Sequence, residues 1–143
     1  MTNTEPVTVL LVEDDVVEVK AIRRAFRERR IGNPIRIAED GLQALAILRG
    51  QDGQDPIRKP YMILLDLNMP RMNGIEFLRE LRQDPDHRKA LVLVLTTSHE
   101  ETDRDQAYEH NVAGYVVKSD FADSFMKVID LIQAYWKVVE FPT

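Results

Sequence analysis

The sequence contains no cysteine, which excludes disulfide bonds and thiolate metal sites. No apolar run reaches the ~20 residues of a membrane-spanning helix, so we expect no membrane partner. Basic residues are not in excess either: the net charge of -5 argues against binding to nucleic acid, which depends on Lys and Arg neutralising phosphates. The first six residues lack the basic and apolar parts of a signal peptide, and we expect a cytoplasmic protein.

The composition is that of a globular domain, with 44% hydrophobic and 30% charged residues among 143. This length suits one domain over residues 1–143, with a core at about 7–137 and a C-terminal tail at 138–143. A basic stretch at residues 23–30 is interleaved with apolar positions. This pattern predicts the solvated face of a helix.

Short apolar runs alternate with segments of helical periodicity. Several runs are continuous stretches of leucine and β-branched residues, which is typical of parallel strands covered on both faces. The predicted strands are Val7–Val12, Ile35–Ala38, Tyr61–Leu65, Leu91–Leu95 and Gly114–Val117. The alternation predicts an α/β fold, a flavodoxin-like doubly wound (βα)5 parallel sheet with strand order 2-1-3-4-5.

Two segments depart from this alternation. Residues 49–60 are polar and rich in Gly and Pro, which predicts a long surface loop. Residues 100–110 form a helical segment in which only Ala107 and Tyr108 are plausible buried contacts. A helix this polar packs weakly and is a candidate mobile or partner-facing element.

Acidic residues follow two of the predicted strands. Glu13, Asp14 and Asp15 come directly after the first strand, and Asp66 follows the third. Strands 1 and 3 are neighbours in the predicted order, so the carboxylates of Asp14 and Asp66 would point into one crevice. Carboxylates this close repel one another unless a cation compensates, and oxygen ligands suit Mg²⁺. The alternative is that Glu13 to Asp15 form only the cap and first turn of a helix. We assign this role to Asp15.

A hydroxyl and an ammonium group end the remaining strands. Thr96 ends the fourth strand and Lys118 the fifth. A threonine or a lysine at the end of a strand usually has no special function. Together at one edge of the sheet, however, these two would complete an anion-binding site around Asp66. A nucleophile, a metal and donors to the equatorial oxygens are what phosphoryl transfer requires.

These motifs together resemble the bacterial response-regulator receiver domain, over about Val7 to Trp136. The motifs that carry the resemblance are Leu11-Val12-Glu13-Asp14-Asp15, Leu64-Leu65-Asp66-Leu67-Asn68-Met69-Pro70 with Asn73-Gly74, Leu95-Thr96-Thr97-Ser98, and Gly114-Tyr115-Val116-Val117-Lys118. Each motif is short, but their order and spacing are highly specific.

The resemblance implies that Asp66 takes a phosphoryl group from the phosphohistidine of a histidine kinase. It implies Mg²⁺ bound directly by Asp14 and Asp66 and by the backbone carbonyl of Asn68, with Glu13 acting through water. The chain would then be a phosphoacceptor with self-catalysed transfer and autodephosphorylation, and not an enzyme acting on other substrates.

The resemblance also assigns the remaining motif residues. Thr96 and Lys118 would contact the phosphoryl oxygens, and Tyr115 would be the aromatic residue whose rotation reports phosphorylation. One departure concerns the placement of Lys118. Receivers usually have a proline after this lysine, often with a cis peptide bond, whereas Ser119 follows here. A cis bond before a residue other than proline costs roughly 2.5–4 kcal/mol.

The last helix carries more apolar surface than one packing face requires. Phe125, Ile129, Ile132 and Trp136 form the stripe that the sheet should bury. Further apolar residues widen the arc and continue into the tail, namely Val128, Leu131, Tyr135, Val138, Val139 and Phe141. Exposed apolar surface of this kind marks interfaces, and we expect a homodimer through the last strand, the last helix and the tail. The alternative is a tail that folds back on its own domain.

A narrower resemblance concerns the kinase partner. The long loop at residues 49–60, the Leu-Thr-Thr-Ser run, Lys118-Ser119 and the ending Ala134-Tyr135-Trp136 resemble small receivers paired with bacterial phytochromes, the red-light-sensing histidine kinases. This implies a bacteriophytochrome as the phosphoryl donor.

Two rival functions remain. Phosphatases of the haloacid-dehalogenase type also use an Asp at a strand end with Mg²⁺, but they need a second Asp two residues later as general acid. That position is Asn68, which cannot transfer a proton in this way. The other rival is an unphosphorylated binding module, which the presence of all the expected acids, Thr96 and Lys118 disfavours.

Overall fold

The computed structural model of the chain describes residues 6–118 and 122–142, which form an α/β fold around one parallel sheet. The strand order is β2-β1-β3-β4-β5, as predicted, and every pair of neighbours is parallel. Each strand lies within one residue of its predicted bounds: β1 (Thr8–Val12), β2 (Ile35–Ala38), β3 (Tyr61–Leu65), β4 (Leu91–Thr96) and β5 (Gly114–Val117).

Helices follow the strands in strict alternation, as the sequence pattern predicts. They are α1 (Val16–Glu28), α2 (Gly41–Arg49), α3 (Gly74–Gln83), α4 (Glu101–Glu109) and α5 (Ala122–Val138). Asp15 caps α1, because its Oδ1 accepts a hydrogen bond from the amide of Val17 at 2.8 Å. The predicted role of Asp15 is therefore confirmed. The basic residues at positions 23–30 are exposed, also as predicted.

The strands send alternate side chains into two apolar clusters, one on each face of the sheet. Leu10 and Val12 belong to the first cluster and Val9 and Leu11 to the second, which follows from the period of two in an extended strand. The first cluster includes Phe77, Leu78 and Leu81 of α3. The second includes Ile22 and Phe26 of α1 with Ile129 and Ile132 of α5. Every residue of β1 and β3 is buried, which explains why both strands are apolar apart from Thr8 at the start of β1.

Helix α4 packs as weakly as its composition predicts, and the residue buried in it is Ala107. The prediction was wrong for Tyr108, which is 49% exposed. Successive helical residues point about 100° apart, so burial of Ala107 turns the next side chain outward.

The predicted loop begins one residue later than expected, because Arg49 is the last residue of α2. Gly50 ends that helix in the left-handed region, at a φ of 66°, which only glycine adopts without steric cost. The side chain of Ile57 is buried, and its amide donates to the carbonyl of Ile47 at 3.1 Å. The loop is therefore anchored on the helix that precedes it.

Three predictions involve residues outside the described part of the structure: the Lys118–Ser119 peptide bond, the side chain of Phe125 and the end of the tail at residue 143. Among the described helices, none has the length and hydropathy that crossing a bilayer requires.

The guanidinium group of Arg82 joins the loops that precede β4 and β5. It donates four hydrogen bonds, to the carbonyl oxygens of His110 (2.6 Å), Arg88 (2.7 Å), Ala90 (2.8 Å) and Asn111 (3.0 Å). Burial lowers the pKa of Arg82 from its usual value. The two loops are thus held by one side chain whose planar fork suits several acceptors.

Replacing Arg82 by Met should lower the free energy of unfolding by roughly 3 kcal/mol, because it leaves several carbonyls without their charged donor. Urea denaturation measures the change. The control is Arg79→Met, an exposed arginine of the same helix, with an expected effect within about 0.5 kcal/mol. Equal losses in the two variants would contradict the role assigned to Arg82.

Candidate functional site

The candidate functional residues lie at the carboxyl edge of the sheet, where β1 and β3 end side by side. Val12 pairs with Leu65, and the amide of Asp66 donates to the carbonyl of Val12 at 3.0 Å. Glu13, Asp14 and Asp66 are consequently neighbours. Each offers one carboxylate oxygen, and these oxygens all lie within 4.8 Å of one another. The structure thus brings together the carboxylates that the sequence predicted to share one crevice.

The three carboxylates differ in their exposure. Asp14 is exposed, whereas Glu13 and Asp66 are 4% and 7% exposed. One oxygen of Asp66, Oδ1, accepts from the amide of Asn68 at 3.4 Å. Asp66 is therefore almost buried, and its carboxylate lies beside those of Glu13 and Asp14.

This donor set fits a divalent cation. All three groups are hard oxygen ligands, they converge from two strands, and their negative charges need compensation. Asp14 and Asp66 each have an oxygen available for a metal. Asp15, although adjacent, is occupied in capping α1.

Glu13 uses both of its oxygens inside the protein. Oε2 accepts from the ammonium of Lys118 at 3.1 Å, and Oε1 accepts from the amide of Asp15 at 3.3 Å. Burial raises the pKa of Glu13 to about 7; Lys118 opposes this shift, and the negative charge of Asp66 adds to it. Lys118 thus favours the ionised form of Glu13, which burial disfavours.

Lys118 lies almost buried at the end of β5, with its side chain 8% exposed. Burial alone would lower the pKa of Lys118, but the charges of Glu13, Asp66 and Glu18 outweigh it and raise the pKa. Glu18 of α1 lies 3.7 Å from the ammonium. Sequence reasoning missed Glu18, whose only signal is an acidic side chain in the first turn of the helix that follows the acidic motif.

Thr96 and Tyr115 lie on the neighbouring strands and meet at Ser98. Thr96 is fully buried, and its Oγ1 accepts from the amide of Ser98 at 3.3 Å. The hydroxyl of Tyr115 donates to the carbonyl of Ser98 at 3.0 Å. Burial raises the pKa of the Tyr115 phenol, and the hydrogen bond to Ser98 opposes the shift. The two predicted switch residues are therefore linked through one backbone unit.

The loop between Asp66 and α3 is held by local hydrogen bonds. Asn73 and Glu76 form a capping box, in which each side chain accepts from the other residue's amide, at 2.9 and 3.1 Å. The amide of Gly74 donates to the carbonyl of Leu67 at 3.0 Å. A Cβ atom at Gly74 would lie 2.6 Å from the carbonyl oxygen of Asp66. Only glycine lets α3 start this close to the backbone of Asp66.

A buried acid ties the same loop to α2. Asp40 is 1% exposed; its Oδ1 accepts from the amide of Gln43 at 2.9 Å and caps the helix. Its Oδ2 accepts from Nε of Arg71, a residue of the loop, at 2.6 Å. Sequence reasoning missed this pair, since the only sign of it is an aspartate at a helix start.

The predicted interface residues fall into three groups. Leu131 and Val138 are 55% and 83% exposed. Tyr135, Val139 and Phe141 are half-buried; Phe141 packs against the second cluster and edge-to-face on Tyr135. Val128 is buried in that cluster and faces the sheet. Part of the tail thus folds back on its own domain, and Val128 contributes to the core instead of to an exposed surface.

Comparison with known proteins agrees with this geometry. Residues 9–130 match the family described as the response regulator receiver domain. The chain belongs to this family. Response regulator Rcp1 of Synechocystis sp. is 37% identical over 92% of this chain and 89% of its own length.

Solved structures of similar proteins superpose closely. The Mn²⁺-bound form of Rcp1 has a TM-score of 0.86 at 36% identity, covering 96% of this chain and 100% of that one. The phosphorylated cyanobacterial phytochrome response regulator RcpA has a TM-score of 0.88 at 29% identity, covering 97% and 100%. The bacteriophytochrome response regulator AtBRR has a TM-score of 0.75 at 30% identity, covering 95% and 99%. The receiver fold and the resemblance to phytochrome response regulators are thereby confirmed.

Substituting Ala for Gly74 should disturb the site, because the added Cβ meets backbone atoms of Asp66 and Leu67 at 2.6 and 2.7 Å. We expect a loss of roughly 1–3 kcal/mol in unfolding free energy and weaker binding of Mn²⁺, measured by urea denaturation and calorimetric titration. Gly32→Ala is the matched control, since a Cβ there meets no atom within 4 Å. Unaltered Mn²⁺ affinity in Gly74→Ala would contradict the close-approach argument.

Proposed function

We propose that this receiver domain accepts a phosphoryl group on Asp66 from a phosphohistidine and signals through a changed protein-binding surface. The observation that carries the proposal is the convergence of Glu13, Asp14 and Asp66 at one edge of the sheet. Lys118 at the same edge supplies positive charge. A nucleophile, a cation site and a donor to oxygens are thus assembled by three segments, which follow β1, β3 and β5.

The transfer needs little from the protein beyond positioning. A carboxylate oxygen of Asp66 attacks phosphorus, the phosphorus–nitrogen bond of the donor breaks, and the imidazole leaves as it gains a proton. The hydroxyl of Thr96 and the ammonium of Lys118 would then donate to the phosphoryl oxygens. Lys118 is already held at the site by Glu13, so its charge is in place before the phosphoryl group arrives. We assign dephosphorylation to the same residues, as a self-catalysed hydrolysis.

The cation is proposed to be Mg²⁺. Asp14 and Asp66 would hold it directly together with the backbone carbonyl of Asn68, and Glu13 would act through water because both of its oxygens are already engaged. Such an ion, when bound, neutralises charge on the phosphoryl oxygens. A site with few protein ligands and room for water favours Mg²⁺, which keeps several waters of its own.

The partner is proposed to be a histidine kinase of the bacteriophytochrome class. Two of the similar structures are those of phytochrome response regulators, RcpA and AtBRR. The predicted cytoplasmic location and the absence of nucleic-acid binding stay predictions.

Incubation with acetyl phosphate and Mg²⁺ should add one phosphoryl group, detected as a mass gain in the intact protein. Asp66→Ala should show none, because the nucleophile is lost. Asp15→Ala is the control: this neighbouring acid caps α1 and should leave the gain intact. A gain that persists in Asp66→Ala would place the phosphoryl group elsewhere.

We also propose self-association through β5, α5 and the tail. Leu131 and Val138 leave apolar surface exposed on α5, which interfaces commonly use. Tyr135, Val139 and Phe141 border this surface and would contribute through their exposed parts.

Sedimentation velocity tests the dimer. The native protein should sediment as a dimer at high micromolar concentration, and Leu131→Glu should shift it towards monomer, because a buried unpaired charge is costly. The control is Val17→Glu on α1, where the side chain is 76% exposed and lies outside the proposed interface. A native protein that stays monomeric would contradict the proposal.

A further inference from the structure

The loop between Asp66 and α3 is fixed to the start of α2 by two neighbouring contacts. The carbonyl of Met72 accepts from the amide of Gly41 at 3.0 Å. The side chain of Met72 lies so close that a Cβ atom at Gly41 would be 2.6 Å from its Cγ. Beside this contact, Nε of Arg71 donates to Oδ2 of Asp40 at 2.6 Å, and Nη2 contacts the same oxygen. Two consecutive residues of the loop thus bind two consecutive residues of α2's start.

Asp40 is held in place by its own helix. Its Oδ1 accepts from the amide of Gln43 at 2.9 Å, and its backbone carbonyl accepts from the amide of Ala44 at 3.1 Å. Helix α2 is in turn firmly packed, with Leu45 and Leu48 buried in the core. The carboxylate of Asp40 is therefore a fixed point to which the loop is attached.

Arg71 has a backbone conformation that a residue with a Cβ atom disfavours. Its φ is 62°, in the left-handed region that glycine adopts without steric cost. A residue of another type persists there when surrounding contacts determine its conformation. The side chain of Arg71 is largely exposed, so its contact with Asp40 is what holds it. The hydrogen bond from Gly74 to Leu67 closes the loop on itself, whereas the Asp40–Arg71 pair attaches the loop to a second element.

We infer that Asp40 is a positioning residue for the cation site, acting through Arg71 on the loop that carries Asn68. This inference rests on the proposed function, in which the backbone carbonyl of Asn68 is a ligand of Mg²⁺. Asn68 lies three residues before Arg71, and its own hydrogen bond to Oδ1 of Asp66 is long, at 3.4 Å. The position of its carbonyl consequently depends on how the rest of the loop is held. Without the charge of Asp40, the loop is less restrained and the carbonyl is less well placed for the ion.

Calorimetric titration with Mn²⁺ at a temperature well below unfolding tests the inference. Asp40→Asn keeps an oxygen that can cap α2 but loses the charge that binds Arg71. Arg71→Asn tolerates the left-handed backbone but lacks the guanidinium group. Each substitution should weaken Mn²⁺ binding roughly tenfold, as is found for residues that orient metal ligands. The protein with both substitutions should bind no more weakly than either single variant, because both remove the same contact. Arg71→Lys keeps the positive charge and should retain most of the affinity.

Hydrogen exchange provides a readout that needs no cation. In the absence of metal, the amides of residues 67–73 should exchange faster in Asp40→Asn and in Arg71→Asn than in the native protein, because the loop opens more often. Two matched controls should behave as the native protein in both measurements. Glu39→Gln removes an exposed charge beside Asp40, and Arg79→Asn removes an exposed arginine of α3.

The acetyl phosphate assay separates the possible failures. In a native protein that binds Mn²⁺ and takes up a phosphoryl group, unchanged Mn²⁺ affinity in both single variants would overturn the inference alone. A combined variant whose loss of affinity is the sum of the two single losses would also overturn it, because the two residues would then act independently. A native protein that neither binds Mn²⁺ nor takes up a phosphoryl group would overturn the proposed function and the inference with it.

Discussion

A buried ion pair between Glu13 and Lys118 makes the rest of the site possible. Three carboxylates share one edge of the sheet, and burying that much like charge is unfavourable unless positive charge lies close by. Lys118 arrives from the last strand, and its stem is covered while its ammonium binds Glu13 at 3.1 Å. The same pairing occupies an oxygen of Glu13, which leaves Asp14 and Asp66 as the carboxylates free to bind a cation.

The site combines a rigid half with a loosely held half. On the rigid side, the capping box of α3, the close approach at Gly74 and the Asp40–Arg71 pair all restrain the loop after Asp66. On the other side, α4 has one buried residue, Ala107, and is tied to its strand mainly through Ser98. A rigid loop after Asp66 beside a weakly packed helix suits the proposed function, in which the phosphoryl group binds in one place and the surface changes in another.

The strands were predictable to within a residue because they are apolar on both faces, and both faces of a parallel sheet are covered. The weak packing of α4 was predictable because a helix of polar residues has little apolar surface to bury. The exposure of the Tyr108 side chain was not predictable, because an aromatic residue beside a buried alanine fits the helical pattern equally well whether it is buried or exposed. The burial of Val128 and the packing of Phe141 likewise depend on how closely α5 approaches the sheet, which periodicity does not specify.

The sequence by itself determined which groups end each strand, because the strand order places the residues after β1 and β3 side by side. Tertiary structure alone decided their partners. Lys118 and Glu13 are 105 residues apart in the chain, and the choice of Glu13 as the partner of Lys118 depends on side-chain burial and direction at the folded edge. Hydrogen bonds and ion pairs form only when the two atoms lie within about 3 Å of each other. The order of the strands brings residues to the same edge of the sheet, but only side-chain packing brings their atoms this close.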